Sequence, residues 1–87
     1  MTIPEIFKKY RNGQSLRKFA ASLSEQLPEP ISYQAIKFWE DGTYVPRYYN
    51  IIPLTMHYSD WRRDFALEIL AVLRPDLHAV VEGKINA

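Results

Sequence analysis

Apolar residues recur at spacings of three and four along most of this chain, and the rhythm stops at capping residues and breakers. That is the pattern of short amphipathic helices. Thr2-Ile3-Pro4-Glu5 reads as a capping box with proline in the first turn, where its missing N–H costs nothing. Ile6, Phe7 and Tyr10 give the first helix its apolar face, and Asn12-Gly13 ends it, because glycine takes the left-handed conformation cheaply. Ser15 caps a second helix carrying Leu16, Phe19, Ala20 and Leu23 at helical spacing. Pro28-Glu29-Pro30 forces a turn. Ser32 caps a third helix, with Ile36 and Trp39 on its inner side, and Gly42 closes it.

The second half is less regular. Residues 48–57 are apolar enough to pack, but Pro53 is expected to kink or split a fourth helix. Asp60 caps a fifth, whose stripe of Trp61, Phe65, Ile69 and Val72 is broadened by Ala66, Leu70 and Leu73. Pro75 opens a short tail helix that Gly83 is expected to end. No period of two, internal repeat or low-complexity segment appears. The fold class is therefore all-α: a five-helix domain over residues 1–74, with residues 75–87 a tail holding a short C-terminal helix.

Eighty-seven residues suit one modest core, and 47% hydrophobic content with 14% aromatics excludes a disordered chain. The absence of cysteine rules out disulfides and thiolate metal sites. With no apolar run of about eighteen residues and no secretory h-region, no membrane partner is expected and the cytoplasm is the expected location. The net charge of +1 argues against a nucleic-acid partner taken alone, but it is unevenly spread. Residues 1–47 sum to +2 and residues 48–87 to −1. Phosphate neutralisation needs a local basic face, not a basic total.

Two short capped helices in this order, the second with polar side chains at its front, are the parts of a DNA-reading helix-turn-helix. On that reading Ser32, Tyr33, Gln34 and Lys37 touch bases. Gln34 can bond adenine N6 and N7, and Lys37 can reach guanine O6 and N7 or a phosphate. Tyr33 offers a hydroxyl to phosphate and a ring to a thymine methyl group.

The segment from about Ile6 to Tyr58 resembles the helix-turn-helix domain of phage Cro and lambda-type repressors and of xenobiotic-response-element-type regulators. The residues that carry the resemblance are Phe19-Ala20, Ile36, Trp39-Glu40, Asp41-Gly42 and Pro46. It implies phosphate contacts around Gln14 and Ser15, where Leu16 leaves the bonding to backbone N–H groups at the helix start. It further implies that the loop Thr43–Arg47 lies along a phosphate strand, with Thr43, Tyr44 and Arg47 as donors. Glu40 is expected to pair with a basic residue of helix one, and Lys9 falls at the matching place. One departure stands out. Ala20 and Ile36 are sixteen residues apart, where relatives have about ten. The extra residues, around Ser24–Pro30, either extend helix two and lengthen the loop, or reset the angle between the helices.

Other chemistry finds little purchase. Asp60, Asp64 and Glu68 form an acidic stripe without converging ligands, and His57 and His78 stand alone, so neither catalysis nor a metal is expected. No glycine-rich phosphate loop or nucleophile elbow occurs, and no cofactor or small-molecule ligand is expected. Leu27-Pro28-Glu29-Pro30 reads as a rigid turn, and Arg62-Arg63 as a solvated helix face. The fifth-helix stripe, residues 60–74, offers a homodimer contact. The expected function is a double-stranded-DNA-binding transcriptional regulator. Its rival is a protein-interaction module or small subunit that keeps the fold without reading DNA.

Overall fold

The capping residues place the helix starts correctly. In the computed structural model, which describes residues 1–86 and their side chains through Gly83, six helices follow one another. They are α1 (Ile3–Arg11), α2 (Leu16–Ser24), α3 (Tyr33–Asp41), α4 (Tyr48–His57), α5 (Trp61–Leu73) and α6 (Pro75–Asn86), with no strand among the described residues. Ser15 and Ser32 each accept a backbone N–H three residues on, at 3.1 Å. Asp60 accepts the Arg62 N–H at 3.0 Å. Thr2 and Glu5 form the full capping box. At the other ends, Asn12 (φ 46°), Gly13 (φ 82°) and Gly42 (φ 83°) take the left-handed backbone that lets the chain leave α1 and α3 sharply.

Phe65 on α5 is the hub of the core. Its ring meets Phe7 of α1 edge-on at 5.0 Å, Tyr10 at 5.3 Å and Phe19 of α2 at 5.7 Å. Ile36 and Trp39 of α3, Ile51 and Leu54 of α4, and Ile69 and Leu70 of α5 close the same cluster. The α5 stripe therefore faces inward. Phe65 and Ile69 are fully buried, Trp61 is half-buried against Tyr10 and Phe19, and only Val72 is substantially exposed. α3 packs against α1 and α2, whereas α4 packs chiefly against α5, so α3 and α4 are left splayed apart.

Three local expectations change. Pro53 does not split α4, which is continuous from Tyr48 to His57. Losing one N–H removes a single helical bond, and the burial of Ile51, Leu54 and Thr55 on α5 holds the turns together. Gly83 does not end α6, which continues to Asn86. A glycine weakens a helix interior by only about 1 kcal/mol and need not break it. Finally, the extra residues between α2 and α3 do not lengthen α2, which stops at Ser24, but form a wide loop from Glu25 to Ser32.

That loop is tied down from below. The buried Tyr58 hydroxyl donates to the Leu23 carbonyl at 2.7 Å and accepts the Gln26 N–H at 2.9 Å. Arg62 lies 3.9 Å over the Tyr58 ring, donates to the Ser22 carbonyl at 2.9 Å, and pairs with Glu25 at 2.8 Å and Asp60. Ser24 accepts the Ile31 N–H at 2.9 Å. Arg62, expected on a solvated face, is instead the clamp that closes the C-terminal end of α2.

Candidate nucleic-acid interface

The cations of this chain fall into two groups. Lys9 pairs with Glu68, Arg11 with Glu40, Arg62 with Asp60 and Glu25, and Arg74 with Asp76. Among the described residues, Lys8, Arg17, Lys18, Lys37, Arg47 and Arg63 have no carboxylate within ion-pair distance. All of these except Arg63 lie in the first forty-seven residues, on α1 to α3 and the loop after them. Cations outside ion pairs are therefore concentrated in the first half of the fold.

The end of α1, the start of α2 and the outer side of α3 meet there. Lys8, Leu16 and Lys37 line one small hollow of about 160 Å³, floored by Glu40 and Asp41. Beside it Arg17 sits 4.5 Å over the Tyr33 ring, its Nη2 donating to the Tyr33 hydroxyl at 3.2 Å. That bond leaves the phenol hydrogen free to donate outward. Ser32 and Gln34 are exposed at the front of α3, and Lys37 follows one turn later. Ser15 and Gln14 stand at the start of α2, the Gln14 carbonyl already bonded by Arg11 at 2.8 Å.

The loop residues are placed differently. Both donors of Thr43, its N–H at 2.9 Å and its hydroxyl at 2.6 Å, bond Asp41 Oδ1. These bonds hold the Asp41 carboxyl below the usual aspartate range. Tyr44 packs edge-on against Phe38 at 5.3 Å, and Tyr44 and Arg47 line a separate hollow between α3 and α4. The structure thus brings Tyr33 against Arg17 and Lys37 beside Leu16 at the start of α2, with Gln34 exposed on α3, whereas Ser32 lines a hollow under the α2–α3 loop. It sets Tyr44 and Arg47 on the opposite flank of α3.

No protein-family model, curated protein or solved structure matches this chain. The functional reading rests on the residues themselves.

The expected pair of Lys9 with Glu40 is corrected by the geometry. Glu40 is buried and takes a bidentate grip from Arg11, Nε donating to Oε2 at 2.8 Å and Nη2 to Oε1. The carboxylate bonds raise the Arg11 guanidinium above its ordinary value. Lys9 lies two residues earlier, about 200° around the helix, and reaches Glu68 of α5 at 2.7 Å instead. Glu68 also accepts the Tyr10 hydroxyl. Burial, reinforced by that bond and by the charges of Glu68 and Asp64, pushes the Tyr10 phenol up to about 12. Burial tends to raise the Glu68 carboxyl, but bonds from Lys9 and Tyr10 outweigh it and hold the group below its ordinary range.

Arg17 and Lys8 were not singled out by the sequence. Arg17 had a signal, since it sits in the first turn of the helix that Ser15 caps. Lys8 had none, because its approach to Lys37 depends on how α1 docks on α3. Among the described residues no three His, Asp or Glu side chains gather as a metal would require, and no helix is long and apolar enough to cross a membrane.

Proposed function

We propose that this chain is a sequence-specific, double-stranded-DNA-binding transcriptional regulator of the Cro/repressor kind, with α3 in the major groove. The observation that carries the reading is the gathering of cations held in no ion pair, Lys8, Arg17, Lys18 and Lys37, on α1, α2 and α3, with Asp41 the exposed carboxylate beside Lys37. An α-helix with its side chains is about 10–12 Å across, which a major groove about 12 Å wide admits. Gln34 is the base reader, with no side-chain hydrogen bond among the described residues to compete for its amide. Lys37 reaches a guanine edge or phosphate. Arg17, Lys18 and Lys8 meet phosphates, with Tyr33 and Ser15 as neutral donors.

Selection of bound duplexes from a random pool tests this, followed by affinity against salt. An enriched motif is expected, with a log–log salt slope of about −3 to −4 for the cations named. Binding without enrichment, or a flat slope, would overturn it.

The rival reading of a protein-interaction module has one observation in its favour. The flank of α3 away from Arg17 and Lys37 carries exposed Phe38 beside Tyr44, Val45, Tyr48 and Tyr49. A protein that bound a partner there and no DNA would return no motif in the same selection.

A further inference from the structure

The splay of α3 from α4 leaves an open trough, and its two ends carry opposite charge. One hollow of about 920 Å³ is lined by Phe38, Tyr44, Tyr48 and Leu73 and rimmed by Arg47 and Arg74. A second of about 450 Å³ runs under the Leu27–Ile31 loop and is rimmed by Glu29. The hollows meet at Ala35, Trp39, Tyr49 and Asn50, which line both. Arg47 and Glu29 are exposed and, among the described residues, neither has an ion-pair partner, whereas Arg74 is held by Asp76. The trough therefore has mainly aromatic and aliphatic side chains with Asn50 in its middle, the unpaired cation Arg47 at one end and the unpaired carboxylate Glu29 at the other.

We propose that this trough is a two-fold interface with a second copy of the same chain. In an isologous contact whose axis passes through the shared middle, each end of one copy meets the opposite end of its partner. Arg47 of each protomer then faces Glu29 of the other, and both charges are matched. Shape agrees with charge. Tyr44 and Val45, each 62% exposed, line the larger hollow at the Arg47 end, and across the axis they face the smaller hollow at the other copy's Glu29 end. The area is also sufficient. The exposed parts of Phe38, Tyr44, Val45, Tyr48 and Tyr49 amount to roughly 500 Å². Two such faces reach the ~1,000 Å² that a specific interface needs. α5 is not the contact, because its stripe lies in the core. This inference is independent of DNA binding.

Charge exchange tests it without DNA. Glu29→Arg makes both ends positive and Arg47→Glu makes both negative, so each variant alone sets like charges together twice per dimer. In an equimolar mixture, every Arg end meets a Glu end. Sedimentation equilibrium is expected to show a wild-type dimer. Each single variant is expected to weaken it at least about tenfold, and the mixture to restore it to within about threefold. Recovery in the mixture also shows that both variants fold. A wild-type monomer at millimolar concentration would overturn the proposal. So would single variants that dimerise normally, or a mixture no tighter than its components.

Discussion

Removing Arg11 tests how α3 is held. Arg11→Ala deletes both bonds to the Glu40 carboxylate and the bond from Nη1 to the Gln14 carbonyl at 2.8 Å. Breaking a fully buried pair costs about 3–5 kcal/mol, because the remaining charge is stranded. Here the carboxylate side chain is 10% exposed and the guanidinium 27%, so water relieves part of that cost. The expected loss is about 2–3 kcal/mol. For a chain of this size that lowers Tm by roughly 10–20 °C.

Urea unfolding of Arg11→Ala, Glu40→Ala and the double variant separates the pair from its surroundings. The double variant is expected to fall short of the sum by about 1.5–2 kcal/mol, since removing the second partner also removes the stranded charge. Lys9→Ala is the control. Its pair with Glu68 is 46% and 36% exposed, so it is expected to cost under about 1 kcal/mol and to add independently to Glu40→Ala. Additivity of Arg11 with Glu40 within about 0.5 kcal/mol, or coupling of Lys9 to Glu40, would refute the assignment.

Tyr58→Phe leaves the Leu23 carbonyl and the Gln26 N–H without their partner, and is expected to destabilise the fold by about 1–3 kcal/mol in urea unfolding. Tyr10 is raised from 10 to about 12 in the fold, so its contribution is complete below pH 10 and is lost as pH rises through 12. Ultraviolet titration is expected to show one late phenol that Tyr10→Phe removes. Glu68 is shifted the other way. Its contribution is present above pH 4.5 and fades as pH falls through its lower folded value, and acid unfolding of Glu68→Gln is expected to lack that component. On DNA, Arg17→Ala is expected to weaken all sequences and reduce the salt slope by about one, whereas Gln34→Ala costs about 1–3 kcal/mol on the preferred site alone. An Arg17 effect confined to one sequence, or a Gln34 effect common to all, would exchange their roles.

What the sequence made legible is what is decided within a turn or two of the chain. Thr2, Ser15, Ser32 and Asp60 could be read as caps because a cap bonds an N–H two or three residues away. The inward residues of α3 were legible because Ile36 and Trp39 obey the helical period. Pairings across the fold were not. Periodicity gives the face on which Lys9 or Arg11 lies, but which faces Glu40 depends on how α1 rolls against α3. For the same reason the acidic stripe of α5 concealed Glu68, which holds Lys9 and Tyr10. Arg62 read as surface because two of its anchors, the Ser22 carbonyl and Glu25, lie in the helix and loop that it clamps.

The near-neutral total charge, which counts against a DNA partner when taken alone, has a structural explanation in this pairing. Carboxylates of α5 and α6 neutralise Lys9 and Arg74, while Glu40 and Asp60 are committed to arginines that hold helix ends and loops in place. Those pairs cancel in the sum without placing a negative charge beside Arg17 or Lys18. Splitting the surface of α3 then gives each flank a separate task. Lys37 and Tyr33 turn toward α1 and α2, beside Lys8 and Arg17, and Ala35 and Phe38 turn toward the aromatic side chains of the trough. A helix read by its total hydrophobicity shows neither. A substitution on one flank, such as Arg17→Ala, can therefore alter DNA affinity while leaving self-association intact, and Glu29→Arg can do the reverse for a single half-site.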